Sequence, residues 1–164
     1  MRLLAALFFA ALFALGAACT GESPDADAGP AVDAGAPSGV TVDDSGCMTY
    51  REGMQLQTED DLVTITLLSA SPAPPDVGNN GWRLALLNAD GAALSGASVK
   101  IAPFMPAHGH GTSPAEFEGV EGEPGIFDLG PFDLFMPGTW EVTTTVTLSD
   151  ESAHVAVFTF CVEG

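Results

Sequence analysis

The sequence predicts one all-β domain, an immunoglobulin-like sandwich of about seven strands over residues 47–164, preceded by an export signal and a disordered tether. Three observations carry that expectation. Short runs rich in Val, Ile, Thr and Phe alternate apolar with hydroxyl side chains, the two-residue period of a strand with one face in water. Clusters of Gly, Pro, Asn and Asp separate those runs, and 19 Gly and 12 Pro are spread through 164 residues. No segment has the 3.6-residue apolar period of a packed helix.

The domain does not begin at residue 1. Residues 1–18 have the form of a lipoprotein signal peptide: Arg2 is the sole charge, residues 3–15 are Leu, Ala and Phe, and Gly16, Ala17 and Ala18 are small. An apolar run of about 13 residues is too short to span a membrane, which takes about 20. Leu15-Gly16-Ala17-Ala18-Cys19 resembles a bacterial lipobox, with Gly16 where Leu is commoner. In that pattern Cys19 is lipidated and becomes the mature N-terminus. The competing reading is ordinary cleavage near Ala18, which would leave an unexplained thiol on a flexible tail. The expectation is therefore lipidation at Cys19, with the membrane as a partner through the lipid anchor. The address is the cell envelope. Thr20, where some lipoproteins carry a sorting Asp, favours the outer membrane over the inner by analogy.

Residues 19–46 follow as the lipidated Cys and an acidic linker of Ala, Gly, Pro, Ser and Asp, with Asp-Ala-Gly at 27–29 and again at 33–35. A segment without aromatic or basic residues buries too little apolar area to offset its ordering entropy, so a disordered tether is expected. With Cys19 assigned to lipid, Cys47 and Cys161 remain as an even pair, and export places them where disulfides persist. A bridge closing so long a loop contributes roughly 4 kcal/mol in the chain-entropy picture.

Within the domain, residues 62–68, 82–87, 97–102, 116–120, 125–129, 140–148 and 155–162 are the expected strands. Asn88-Ala89-Asp90-Gly91 is a turn signal. The cleanest alternation is Trp140, Val142, Thr144, Val146 and Leu148 on one face with mainly Thr on the other. Trp140 is expected in the inter-sheet core, Trp82 in the core or at its rim, and His154 as structural or exposed. The net charge of −18, from 22 acidic and 4 basic residues, repels nucleic acid and anionic lipid and attracts cations. Solubility accounts for that charge as a whole.

One segment carries candidate chemistry: Phe104-Met105-Pro106-Ala107-His108-Gly109-His110-Gly111-Thr112. In an extended segment His108 and His110 point to the same side. Thioether with imidazole is a ligand set suited to copper, the thioether favouring the cuprous ion. Phe135-Met136-Pro137-Gly138 repeats the Phe-Met-Pro order. If both corners meet at one pole, Met105, His108, His110 and Met136 converge as four metal ligands. The alternative is architectural: Met and Phe packed inside, Pro ending each strand, and the imidazoles bonded to backbone carbonyls.

Met105-Pro106-Ala107-His108, then Gly125-Ile126-Phe127, then Met136-Pro137-Gly138-Thr139-Trp140 resemble the YtkA-like domain family, itself similar to FixH proteins. The resemblance covers residues 81–162 and rests on the paired Met-Pro motifs at Met105, His108, Met136 and Trp140. It implies a small β-sandwich of the bacterial cell envelope, linked by analogy to copper handling. Enzyme readings lack parts: no nucleophile context surrounds a Ser, and no phosphate-cradling Gly loop opens a helix. The expectation is thus a non-catalytic envelope module that binds a soft metal, copper, with a structural or protein-interaction module as the alternative.

Overall fold

The computed structural model describes residues 40–164. The signal peptide, Cys19 and the tether up to residue 39 lie outside the described residues. Ten strands run in the order β1 (Met54–Gln57), β2 (Val63–Ser71), β3 (Gly78–Asn88), β4 (Ser98–Met105), β5 (His110–Gly111), β6 (Phe117–Glu118), β7 (Val120–Glu121), β8 (Ile126–Leu134), β9 (Gly138–Thr147) and β10 (Ala153–Val162). Seven are four residues or longer, and no helix occurs among the described residues. The strands form two antiparallel sheets, β1-β2-β3-β8-β7 and β10-β9-β4-β5, with β6 on the flank of β4.

Alternation explains how the sheets face each other. In β9, Trp140, Val142, Thr144 and Val146 are buried while the residues between them are half-buried. In β10 the inner face is His154, Ala156, Phe158, Phe160 and Val162. Strand β4 adds Val99, Ile101 and Met105 to the same layer, and β2, β3 and β8 oppose it with Ile65, Leu67, Trp82, Leu84, Phe127 and Phe132. Trp82 belongs to the core. Its ring meets Phe132, Phe158 and Phe160 edge-on, at centroid distances of 5.4, 5.4 and 5.7 Å. Edge-to-face packing suits the positive rim of one ring against the negative face of another.

The all-β sandwich is as the alternation predicted, with local differences. The expected strand at 116–120 is two short strands. Phe117 and Glu118 pair with β4, whereas Val120 and Glu121 pair with β8, so this stretch passes from one sheet to the other. Strand β1 escaped the sequence reading, because Met54-Gln55-Leu56-Gln57 offers only two apolar residues, yet it pairs throughout with Thr64–Leu67 of β2. Ordered structure also begins before Cys47, within the stretch assigned to the tether. Val40 packs against the core, Thr49 N–H donates to the Thr41 carbonyl at 2.9 Å, and Val42 bridges Met48. The physical reason is the Asp43 turn. Its Oδ1 accepts from the Ser45 hydroxyl at 2.5 Å, the Ser45 N–H at 2.9 Å and the Cys47 N–H at 3.0 Å, turning a polar stretch into a closed loop.

Cys47 and Cys161 are joined by a disulfide with Cα atoms 5.5 Å apart across 114 residues. The bond ties the entry of the domain to its last strand.

Candidate functional site

Strand β4 ends at Met105, and the chain reverses through Pro106–Gly109 into the two-residue β5. The N–H groups of His108 and Gly109 both donate to the Met105 carbonyl, at 3.1 and 2.9 Å. Gly109 has φ of 69°, a left-handed backbone that closes the turn and that residues with a Cβ resist. The ladder then resumes with Phe104 opposite Gly111 and Met105 opposite His110. Directly paired residues of an antiparallel ladder share a face, and Met105 is wholly buried. His110 therefore stands on the core side of the sheet, half-buried, while His108 lies exposed in the turn.

This corrects the expectation of one extended segment carrying both imidazoles. Only His110 is on a strand. The turn nonetheless brings the rings together, with centroids 5.6 Å apart and planes tilted by 39°. A metal–nitrogen bond of about 2 Å on each ring is compatible with one ion bridging such a pair.

The second Phe-Met-Pro segment is the corner between β8 and β9, and it meets the first. A Cβ built on Gly138 would sit 2.7 Å from the Met105 methyl, so the Met105 side chain ends against the start of β9. Phe135 stacks on His110 at 5.4 Å with planes 21° apart, and it meets Trp140 edge-on at 5.6 Å. Trp140 Nε1–H donates to the Met136 carbonyl at 3.0 Å, which pins the corner to the strand it precedes. Met136 is half-buried against the core. Of the four sequence-predicted ligands, His108 and His110 stand together, with Phe135 stacked on His110; Met105 is buried on the paired strand with its methyl against Gly138, and Met136 is partly buried against the core.

One atom of this group is unsatisfied. His110 Nδ1 is buried with no hydrogen-bond partner, as are Trp82 Nε1 and Thr144 Oγ1. Buried polar atoms are normally paired, so each needs a reason. An indole N–H is a donor only and binds no cation, and a hydroxyl is a poor ligand for a soft ion. Imidazole nitrogen is the ligand of the three, and His110 alone stands beside a second imidazole. The donor chemistry therefore fits a soft cation.

Cys47 and Cys161 offer no free thiolate. Asp43, Cys47 and Cys161 place a carboxylate oxygen and two sulfurs within 4.8 Å of one another, but the sulfurs are bonded to each other. Ser45 Oγ and Thr139 Oγ1 lie 3.4 and 3.7 Å from Cys161 Sγ.

A second polar cluster, at the far end of the same sheet, went unseen in the sequence. His154 is 5% exposed. Its Nδ1 is 2.6 Å from Asp60 Oδ2, and its Nε2 is 3.0 Å from Ser152 Oγ, which is itself 2.6 Å from Asp150 Oδ1. The Thr58 hydroxyl, 2.7 Å from Asp60 Oδ1, is the main cause holding the Asp60 carboxyl down at about 2, with His154 adding to it. The Ser152 hydroxyl and N–H likewise hold Asp150 below the ordinary carboxylate value. Hydroxyl, imidazole and carboxylate stand in relay order, and the Ser152 proton has a charged acceptor in Asp150 besides the ring. The arrangement fastens the turn before β2 to the turn before β10. Asp60 is 94 positions from His154, a distance over which sequence carries no pairing signal.

A family model described as YtkA-like matches residues 57–145, more than half of the chain. The matched stretch contains Met105, His108, His110, Met136 and Trp140, and it excludes both disulfide cysteines. No curated protein and no solved structure matches the chain.

Proposed function

The chain belongs to the YtkA-like family, and on that premise we propose that its β-sandwich is a non-catalytic cell-envelope module that binds a soft metal ion, copper in its cuprous state, at the β4–β5 pole. His108 and His110 supply imidazole nitrogens, and Met105 and Met136 supply thioethers. The observation that carries the reading is the buried, unpartnered Nδ1 of His110 beside a second imidazole. Bound there, the ion would satisfy a polar atom that the protein leaves alone. Cuprous ion suits soft sulfur and imidazole donors and forms no strong preference for the carboxylates that abound elsewhere on this acidic chain.

Export and anchoring belong to the same proposal. Residues 1–18 and Cys19 supply the signal and the lipid, and the Cys47–Cys161 disulfide suits an oxidising compartment. The linker would hold the pole away from the membrane surface.

A second reading draws on a different observation. Phe135, stacked on His110, is 47% exposed, and Phe104, on the outer face of the end of β4, is 41% exposed; apolar rings left in water on a charged protein mark contact surfaces. In that reading the pole meets a protein partner and needs no ion.

Titration of the purified protein with cuprous ion, against a coloured chelator competing for it, separates the two. One equivalent should be withheld from the chelator. Loss of an outer partner of a metal ligand already costs about 10–100-fold in affinity, so replacing both His108 and His110 by Ala should cost at least about 100-fold. A wild-type protein that withholds no copper, or a double variant that withholds it equally well, overturns the metal reading.

A further inference from the structure

We infer that the two imidazoles have different duties: His110 is the fixed ligand of the site and His108 is the ligand that opens it, so that the ion enters and leaves by exchange at His108. This rests on the soft-metal reading of the same pole and adds to it a route and a division of labour.

The asymmetry is built by the backbone. His110 is held twice, by its backbone and by its ring. It is paired in register with Met105, a wholly buried residue at the end of β4. Its ring lies flat against Phe135, which is edge-on to Trp140, and Trp140 is locked to the Met136 carbonyl. A ring so stacked keeps one orientation whether or not an ion is present. His108 has none of that support. It lies in the turn Pro106–Gly109, all of whose residues are exposed, and its neighbour among the rings is His110 itself. The turn fixes its backbone through two N–H bonds to Met105 and leaves the side chain in water. Exposed side chains change rotamer in picoseconds to nanoseconds, so His108 swings between solvent and site while His110 stays.

Exchange at a ligand of this kind needs no oxidant or proton acceptor. The His108 nitrogen leaves the cuprous ion, a donor atom of the incoming carrier takes its place, and the remaining bonds break in turn. Residues 101–115 carry no Asp, Glu, Lys or Arg, so the turn that bears His108 is itself free of formal charge on a chain of net charge −18, and Glu141, paired opposite Phe104, is the carboxylate that strand pairing brings to the end of β4.

The test compares single variants by cuprous affinity and by the rate of transfer to excess chelator in stopped flow. His108→Ala should keep a measurable site and release the ion about tenfold faster or more, because the fixed donors remain. His110→Ala should lose at least about 100-fold in affinity. Equal losses from the two variants, or the larger loss from His108→Ala, overturn the inference while leaving the metal reading intact. A wild-type protein that binds no cuprous ion overturns both. Relaxation of the ring carbons in the ion-free wild-type protein gives a readout independent of any variant. The His108 ring should be averaged on the fast timescale and the His110 ring ordered, and two rings of equal order would sink the division of labour.

Discussion

His154 and His110 occupy opposite ends of the sheet built from β10, β9, β4 and β5. His154 pairs with Val146, which pairs with Val99 near the start of β4, whereas His110 pairs with Met105 at its end. Both imidazoles face inward, and they are treated oppositely. His154 has a partner on each nitrogen, the carboxylate of Asp60 and the hydroxyl of Ser152. His110 has a buried Nδ1 with none. A satisfied ring ties two turns together, and what it needs is already in the fold. The other ring is stacked on Phe135, and the fold supplies its Nδ1 with no partner. Residue type does not separate the two histidines; the hydrogen-bond inventory does.

The largest expected effect tests that contrast in stability. His154→Ala removes a buried ring and both of its hydrogen bonds, one of them to a carboxylate, and should cost about 3 kcal/mol. His110→Ala in metal-free protein removes a half-buried ring whose buried Nδ1 has no hydrogen-bond partner, and should cost about 1 kcal/mol. Urea unfolding of the two variants measures the difference, and equal costs would erase the comparison. The anchor also has an acid signature. The folded-state value of Asp60, about 2, lies below its ordinary 3.8. Its contribution is therefore complete above pH 3.8 and is lost as pH falls through 2. Asp60→Asn should lower stability near neutrality, where the contribution is complete, and flatten the stability–pH curve as pH falls from 3.8 through 2.

How much of this was legible in sequence differs between the two poles. The alternation at 140–148 specified the buried face of β9 at Trp140, Val142, Thr144 and Val146, because a period of two is a property of the chain itself. The repeated Phe-Met-Pro order pointed to two corners, and the Met105 methyl does reach Gly138. The direction of each imidazole was not legible. His108 and His110 differ by two positions, which puts them on one face of a strand, but the turn at Gly109 intervenes and only the ladder register decides which ring faces inward. At the other pole nothing links Asp60 to His154 except tertiary structure, and Thr58 joins that network only because β1 pairs with β2.

Copper should stabilise one pole's ligands and ignore the other's. At a free ion concentration of about 100 times the dissociation constant, linkage adds about 2.7 kcal/mol. That increment should appear in the wild-type protein and survive in full in His154→Ala, measured from that variant's lower baseline. It should vanish in the variant lacking both His108 and His110. An increment that disappears with His154→Ala would place the ion at the wrong end of the sheet.

The contact between the two Met-Pro corners is open to a smaller perturbation. Gly138→Ala puts a Cβ at φ of 134° and 2.7 Å from the Met105 methyl. The strained backbone should cost about 2 kcal/mol, and the thioether has to move aside. If Met105 is a ligand, this variant loses cuprous affinity although no ligand was replaced. If Met105 only packs, affinity is retained and stability alone falls. The same substitution therefore separates the thioether's chemical role from its architectural one.

The smallest effect concerns the turn that carries His108. Gly109 has φ of 69°, and a Cβ there would meet nothing within 4 Å. The cost of Gly109→Ala is thus backbone conformation alone, about 1 kcal/mol, and Gly109→Asn should recover about half of it, because Asn tolerates the left-handed region. Neither change touches a ring at the far pole, so the acid signature of Asp60 should be identical in both variants. Release of cuprous ion is where they should differ from wild type. An Ala that pulls the turn out of its left-handed corner moves His108 away from a ring that stays stacked on Phe135, and transfer to chelator should quicken as it does in His108→Ala. The Asn variant, with the turn restored, should release at close to the wild-type rate. If all three proteins release the ion alike, the turn merely connects β4 to β5, and the His108 ring has no part in opening the site.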